Sequence, residues 1–205
     1  MHYTIFDTPV LRTVARWASI LILKIAGWRI HGRLPDISRF VLIAAPHTSN
    51  WDFPLTLFIA FALRAKIYWM GKDAIFRPPL RLFFKWLGGI PVNRSRSNNI
   101  VAQSIAQFKK NEILILAVPP AGTRKRVMYW KSGFYHIANG AQVPIVLGFL
   151  DYRRRMGGIG PMIRPTGDIE ADMVAIRAFY KDITGKYARQ SMASTEFRES
   201  PAASG

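Results

Sequence analysis

The chain contains no cysteine. That excludes a disulfide framework, a thiolate nucleophile and a cysteine-based zinc site. Histidine is scarce, and His2, His31 and His136 stand far apart without the spacing of metal ligands, so no metal is expected. Acidic residues are also few: 12 Asp+Glu face 29 Lys+Arg, a net charge of +17. Such a surface seeks polyanions, which leaves nucleic acid, anionic lipid headgroups or an acidic carrier protein as partner classes. A membrane-spanning run is missing from the first thirty residues, where the longest uncharged stretch, 17–23, ends at Lys24. A span needs about 20 largely uncharged residues. There is no internal repeat and no RNP, KH or helix-turn-helix signature, so nucleic-acid binding would explain the charge and nothing else.

What the chain does have is apolar residues: 50% are hydrophobic and 13% aromatic, high for a freely soluble protein. Its 205 residues suffice for one domain with a real core. After Asp7-Thr8-Pro9, which reads as a cap with proline at the first helical position, apolar residues recur at Val10, Val14, Trp17, Leu21, Ile25 and Trp28. Steps of three and four make one helical stripe, with Arg12, Arg16 and Ser19 across from it. Residues 9–26 therefore read as a basic amphipathic helix, expected to lie in one leaflet as a monotopic anchor with its arginines at anionic headgroups. The competing reading is a helix packed on the protein's own core. A cleaved signal peptide is disfavoured, because Gly27-Trp28-Arg29-Ile30-His31-Gly32-Arg33-Leu34-Pro35 lacks a small-X-small site and reads as a turn and strand.

Further along, strand and helix patterns alternate. Strands are predicted at 40–45, 67–70, 90–93, 113–118, 143–150 and 162–165; helices at 52–63, 80–87, 98–110, 133–140 and 171–187. The run Glu112-Ile113-Leu114-Ile115-Leu116-Ala117-Val118 has no polar alternation, the habit of a central strand covered on both faces. The expected fold is α/β: a mixed central sheet flanked by helices, with reactive loops where strands end, preceded by the amphipathic membrane-anchoring helix. The expected organisation is an anchor over 1–28, a catalytic domain over 29–187 and a small-residue, polar, disordered tail over 188–205.

The chemistry concentrates in His47-Thr48-Ser49-Asn50-Trp51-Asp52, directly after the apolar run Phe40-Val41-Leu42-Ile43-Ala44-Ala45. A histidine whose tautomer is held by a carboxylate is the minimal apparatus for taking a proton from a hydroxyl. Residues five apart do not share a face of one helix, so the two meet only if the chain turns between them. Thr48, Ser49 and Asn50 are turn and cap formers, and Pro54 suits the first turn of a helix. His47 is thus placed on a loop after a buried strand and Asp52 at the mouth of the helix 52–63. The competing reading makes Asp52 an ordinary N-cap and His47 a loop histidine.

This pair resembles the His-X4-Asp signature of the glycerolipid acyltransferases, the family of 1-acylglycerol-3-phosphate acyltransferases, and further blocks resemble that family in the same order. Gly88-Gly89-Ile90-Pro91-Val92-Asn93-Arg94 resembles the second block, Pro120-Ala121-Gly122-Thr123-Arg124 the third, and Gln142-Val143-Pro144-Ile145-Val146 the fourth. Trp130-Lys131-Ser132-Gly133-Phe134 resembles the family's aromatic-Lys-X-Gly step. One position departs: where the third block normally carries glutamate, this chain has Ala121. Whatever that carboxylate does for the acceptor, a methyl group cannot.

The resemblance implies transfer of a fatty acyl group from acyl-CoA or acyl-carrier protein to the hydroxyl of a lysophospholipid such as 1-acylglycerol-3-phosphate, with no other cofactor. His47 would be the base and Asp52 its orienting carboxylate. No serine or cysteine stands in a nucleophile motif, so no acyl-enzyme is needed. Arg94 and Arg124 follow predicted strands, and two guanidinium forks would hold the acceptor's phosphate. Gly122 and Thr123 would bring backbone amides and a hydroxyl to the same anion, and Lys131 is carried as a further substrate contact. Arg96, Lys125, Arg126 and the run Arg153-Arg154-Arg155 are read as solvated charge or headgroup contacts. An oxyanion donor is expected in the 48–51 turn. Phe53, Leu57, Phe61, Phe76, Phe83, Phe84 and Trp86 line an acyl tunnel or, more ordinarily, belong to the core. The expected setting is a membrane surface, on its cytoplasmic face, with no nucleic-acid partner. The alternatives are a different lyso-lipid acceptor, suggested by Ala121, or a non-catalytic lipid- or nucleic-acid-binding protein.

Overall fold

The computed structural model describes residues 2–92, 97–123, 129–191 and 196–198. Its centre is β2 (Arg39–Ala45), buried along nearly its whole length. Alternate residues of that strand serve two cores. Val41, Ile43 and Ala45 pack with Tyr135, Ile137, Met173 and Ile176, whereas Phe40 and Leu42 pack with Leu57, Phe61 and the N-terminal Ile5 and Phe6. Both faces of the sheet are therefore covered by helices, which is why its central strands carry no polar alternation.

Seven strands are ordered β1-β8-β7-β2-β5-β3-β4. They are β1 (Arg29–His31), β2, β3 (Ile67–Lys72), β4 (Gly89–Val92), β5 (Leu114–Val118), β7 (Ile145–Asp151) and β8 (Met156–Ile163). Five of them, β2, β3, β4, β5 and β7, run parallel; β8 is antiparallel to β7, and β1 is parallel to β8. The sheet is mixed, as expected. The C-terminal ends of the five parallel strands share one edge, the edge where such sheets place their reactive loops. The helices are α1 (Pro9–Ile25), α2 (Asp52–Ala62), α3 (Arg81–Trp86), α4 (Ser97–Lys110), α5 (Gly133–Ala141), α6 (Ile169–Tyr180) and the short α7 (Ala188–Ser191). In the segment expected to be disordered, α7 forms and β9 (Glu196–Arg198) pairs in parallel with β6 (Tyr129–Lys131).

Three local expectations change. The last sheet strand begins six residues before the predicted 162, because the glycines of Met156-Gly157-Gly158-Ile159-Gly160 hide it. Those glycines are there for close approach: a Cβ on Gly158 would overlap the carbonyl oxygen of His31 on β1, and one on Gly157 would lie 2.6 Å from Ile59 of α2. The helix predicted at 171–187 starts earlier, with the Asp168 carboxylate accepting the Ala171 N–H, and stops at Tyr180. Beyond it the chain turns back toward the sheet edge. Asp7 does not cap α1; it accepts the N–H and hydroxyl of Thr4 and pairs with Lys66, leaving Thr8 as N-cap.

α1 packs on α2 through the side that carries Arg16 and Ser19, not through its apolar stripe. Ser19 and Leu23 are buried, and the Arg16 guanidinium donates to the carbonyl of Ala62 at 3.4 Å. The apolar stripe instead points away from the protein, with Val10 74% and Ile25 78% exposed and Val14, Trp17 and Leu21 between them also exposed. Only Trp28, past the end of the helix, packs inward, edge-on to Tyr152 at 5.0 Å. A helix serving an aqueous protein turns its apolar face inward; α1 does the reverse. Among the described residues no helix is long and apolar enough to cross a membrane.

Candidate active site

β2 delivers the chain to the sheet edge at Ala45, and the next residues, Pro46 and His47, leave the sheet as a loop. Five residues later Asp52 opens α2, and its carboxylate reaches back rather than capping its own helix. Its Oδ2 accepts the N–H groups of Thr48 at 2.7 Å and Ser49 at 2.8 Å and stands 3.2 Å from Nδ1 of His47. The two side chains predicted to meet through a turn do meet. A carboxylate only accepts hydrogen bonds, so Nδ1 carries the proton and Nε2 is left as the basic nitrogen. His47 is partly accessible, with 23% of its side chain exposed, while Asp52 is buried.

Burial acts to raise the Asp52 pKa, but hydrogen bonds from His47, Tyr152, Ser49 and Thr48 outweigh it and hold the carboxyl below its usual value. Tyr152 was not anticipated. It directly follows β7, and its hydroxyl donates to the other carboxylate oxygen, Oδ1, at 2.7 Å. Burial and the adjacent carboxylate push the Tyr152 phenol up, so it remains a proton donor at physiological pH. The available signal is position: Tyr152 lies just beyond the predicted strand 143–150, at the same sheet edge as His47.

The chain beyond α6 braces the same loop. Gly185 lies so close to Thr48 that a Cβ there would stand 2.7 Å from its hydroxyl, and the N–H of Tyr187 donates to that hydroxyl at 3.4 Å. The Lys186 ammonium sits 5.3 Å from the Trp51 ring, and the Tyr152 N–H donates to the carbonyl of Thr184. Arg154, read as solvated charge, instead bonds the Asp151 carboxylate and the Asp182 carbonyl, tying the turn after β7 to this segment.

His47 opens onto a cavity of about 720 Å³, within the usual range for small-molecule sites of roughly 300–1,000 Å³. Phe53, Leu57, Trp69 and Phe84 supply apolar walls, while Asn50, Lys72 and Thr123 add polar groups. Gly122 lines it too, in the left-handed conformation that the third block's turn requires, with φ at 65°. The Lys131 side chain lies against Gly122, its Cδ 3.5 Å from where a Cβ would be. Lys72 was not singled out by the sequence. Of the aromatic and leucine residues offered for a tunnel, Phe53, Leu57 and Phe84 line the cavity. Phe61 and Phe76 are buried in the core, Trp86 packs against it, and Phe83 is exposed. A smaller cavity of about 50 Å³ adjoins the same histidine, under α2.

Arg94 and Arg124, together with Arg96, Lys125 and Arg126, lie outside the described residues. Three of the four amides of the 48–51 turn are taken. Those of Thr48 and Ser49 are spent on Asp52, and that of Trp51 on the Ser49 hydroxyl.

The arrangement is a histidine, a buried carboxylate bonded to it and a largely apolar cavity at one sheet edge. Among curated protein sequences none matches the chain significantly. In solved structures the fold is similar to the 1-acyl-sn-glycerophosphate (LPA) acyltransferase PlsC of Thermotoga maritima. The two are 16% identical, with a TM-score of 0.58 and coverage of 82% of this chain and 76% of that one. Residues 28–146, more than half the chain and the stretch running from β1 through the His47–Asp52 loop into β7, match the acyltransferase family, and the protein belongs to it.

Proposed function

We propose that the protein is a glycerophospholipid O-acyltransferase working at a membrane surface, moving a fatty acyl group from acyl-CoA or acyl-carrier protein to the hydroxyl of a lysophospholipid such as 1-acylglycerol-3-phosphate. The observation that carries this reading is the His47–Asp52 pair opening onto the cavity of about 720 Å³. Nε2 of His47 takes the proton of the acceptor hydroxyl as its oxygen attacks the thioester carbonyl. Asp52 steadies the imidazolium, and the tetrahedral intermediate collapses to the new ester, releasing the thiolate, which recovers the proton. Developing charge on the carbonyl oxygen needs a donor, and Asn50 lines the cavity with no partner for its backbone amide among the described residues, unlike its neighbours in the turn. Lys131 and Lys72, with Arg94 and Arg124, are assigned to the acceptor's phosphate. Ala121 cannot supply the family's carboxylate, so either another residue substitutes for it, or the acceptor differs from 1-acylglycerol-3-phosphate, or activity is weak.

A panel of lysophospholipids offered with labelled acyl-CoA and labelled acyl-carrier protein tests the reaction. Labelled diacyl product from at least one acceptor is expected. No product from any pairing would refute the proposal.

The membrane setting is supported by the outward face of α1. Fully burying a large apolar side chain is worth roughly 1.5–3 kcal/mol, so Val10, Val14, Trp17, Leu21 and Ile25 together hold on the order of 10 kcal/mol that the protein leaves unused. Basic residues near an anionic cytoplasmic leaflet contribute about 1 kcal/mol each. The apolar term is the larger, and ions do not screen it. The full chain is therefore expected to sediment with phosphatidylglycerol-containing vesicles and to stay bound in high salt. Trp17→Asp with Leu21→Asp should release it more completely than Arg12→Gln with Arg16→Gln. A full chain that stays in the supernatant would remove the membrane assignment.

A further inference from the structure

A second exposed apolar surface lies far from α1 in sequence and beside the cavity. Between β3 and β4 the chain forms a short 3₁₀ turn (Asp73–Phe76) and α3. Along it Ile75, Leu80, Leu82 and Phe83 are exposed, Leu82 to 77%. The exposed cations Lys72, Arg77 and Arg81 flank them, against one carboxylate, Asp73. The element is firmly seated: Phe76 is buried, and Phe76 and Phe84 pack on Trp69 at 5.8 and 6.2 Å. Trp69 in turn donates its indole N–H to the carbonyl of Leu87. The outward residues are therefore held outward by the packing of their neighbours.

We propose that this segment is a second lipid-docking element, seating the enzyme on an anionic bilayer and admitting the lysolipid acceptor directly from the bilayer into the cavity. The proposal rests on the membrane-surface reading given above. Its first support is charge complementarity, since exposed apolar side chains interspersed with exposed cations match the acyl boundary and anionic headgroups of a leaflet. Its second is continuity with the cavity, because Ile75 and Phe84 of this segment, and Lys72 at the end of β3 just before it, also line the wall of the space that reaches His47. A single-chain lipid entering past Ile75 keeps its tail in apolar surroundings throughout, while Lys72 meets its phosphate. Its third is proximity to α1. The His2 ring is 2.6 Å from the Lys85 carbonyl of α3, and the Tyr68 hydroxyl bonds the His2 carbonyl, placing the chain just before α1 against this element. A docked acidic carrier protein is the competing occupant. It would be met by cations alone, and it leaves the exposed apolar side chains of Ile75, Leu80, Leu82 and Phe83 without a match.

The test compares the intact chain with Leu80→Asp/Leu82→Asp and, separately, Arg77→Gln/Arg81→Gln; none of these residues lines the cavity. Acyl transfer is measured with the lysolipid embedded in vesicles of phosphatidylcholine and phosphatidylglycerol, and with a short-chain lysolipid kept monomeric in solution. The apolar double variant is expected to lose about tenfold or more on the vesicle acceptor and to keep its rate on the monomeric one. The arginine variant is expected to lose less, in proportion to the phosphatidylglycerol content, and its difference from the intact chain should vanish in high salt. Equal losses on both acceptors, or no loss on vesicles, would overturn the proposal. So would an unchanged vesicle rate with a raised KM for acyl-carrier protein, which would assign the patch to the carrier. An intact chain that transfers acyl groups but does not bind vesicles would refute the membrane reading itself, and this proposal with it.

Discussion

Replacing His47 by alanine is expected to reduce acyl transfer by a factor of thousands or more, by analogy with the loss of a triad base, while the protein stays folded and vesicle-bound. The expectation of intact folding follows from where the side chain sits. His47 is on a loop at the sheet edge, partly accessible, with its ring bonded only to Asp52 among the described residues, so its removal opens space that already belongs to the cavity. Single-turnover measurement with a saturating acceptor isolates the chemical step. Far-UV circular dichroism and vesicle sedimentation check the rest. Near-normal turnover in a folded His47→Ala protein would discard the mechanism.

Asp52→Asn is expected to cost on the order of a thousandfold in kcat, for a reason the geometry makes specific. The amides of Thr48 and Ser49 point at Oδ2 and will keep the asparagine oxygen turned toward them, so the ring of His47 retains an acceptor. What disappears is the negative charge that stabilises the imidazolium. Asp52→Ala should be worse for stability, because it orphans both amides and the Tyr152 hydroxyl in a buried site. Acid dependence supplies an independent readout. The Asp52 carboxyl is held below its unfolded value of about 3.9, so its stabilising contribution is complete above that pH and is lost as pH falls through the folded value. The difference in Tm between the native protein and Asp52→Asn should be constant near neutrality and shrink on acidification below about pH 4. Tyr152→Phe removes one of the bonds that lower this carboxyl, so that variant's acid transition should move to higher pH. With Tyr152 acting as a positioning residue, its loss should lower kcat and leave KM unchanged. A Tm difference that does not change with pH would mean that Asp52 is not held as an anion by this network.

Most of what places the reaction centre is local in sequence. The unbroken apolar run ending at Ala45, the turn formers Thr48, Ser49 and Asn50, and the helix opening at Asp52 require that His47 and Asp52 meet across a turn, because each feature acts within one or two turns of chain. The same holds for the alternating strands and helices and for the left-handed glycine of the third block. The first part of β8 is not legible because glycines carry no periodicity; they stand there for the close approach of His31 and Ile59. The helix after Asp168 was read too long because the apolar pattern runs past Tyr180, while the chain breaks away to brace Thr48.

By itself the sequence determined that His47 and Asp52 meet, the strand that presents them, and the presence of an amphipathic helix at the start. Only the tertiary structure decided what surrounds them. Tyr152 reaches the second oxygen of Asp52 from a hundred residues away, because β7 lies next to β2 in the sheet and ends at the same edge. The apolar face of α1 turns outward because α1 packs on α2 through its other side, where Ser19 and Leu23 are buried and Leu23 meets Ile59 and Ala62, and among the described residues the stripe stays exposed. Periodicity marks that a helix has two faces; which one the protein covers is decided by the distant elements that pack against it.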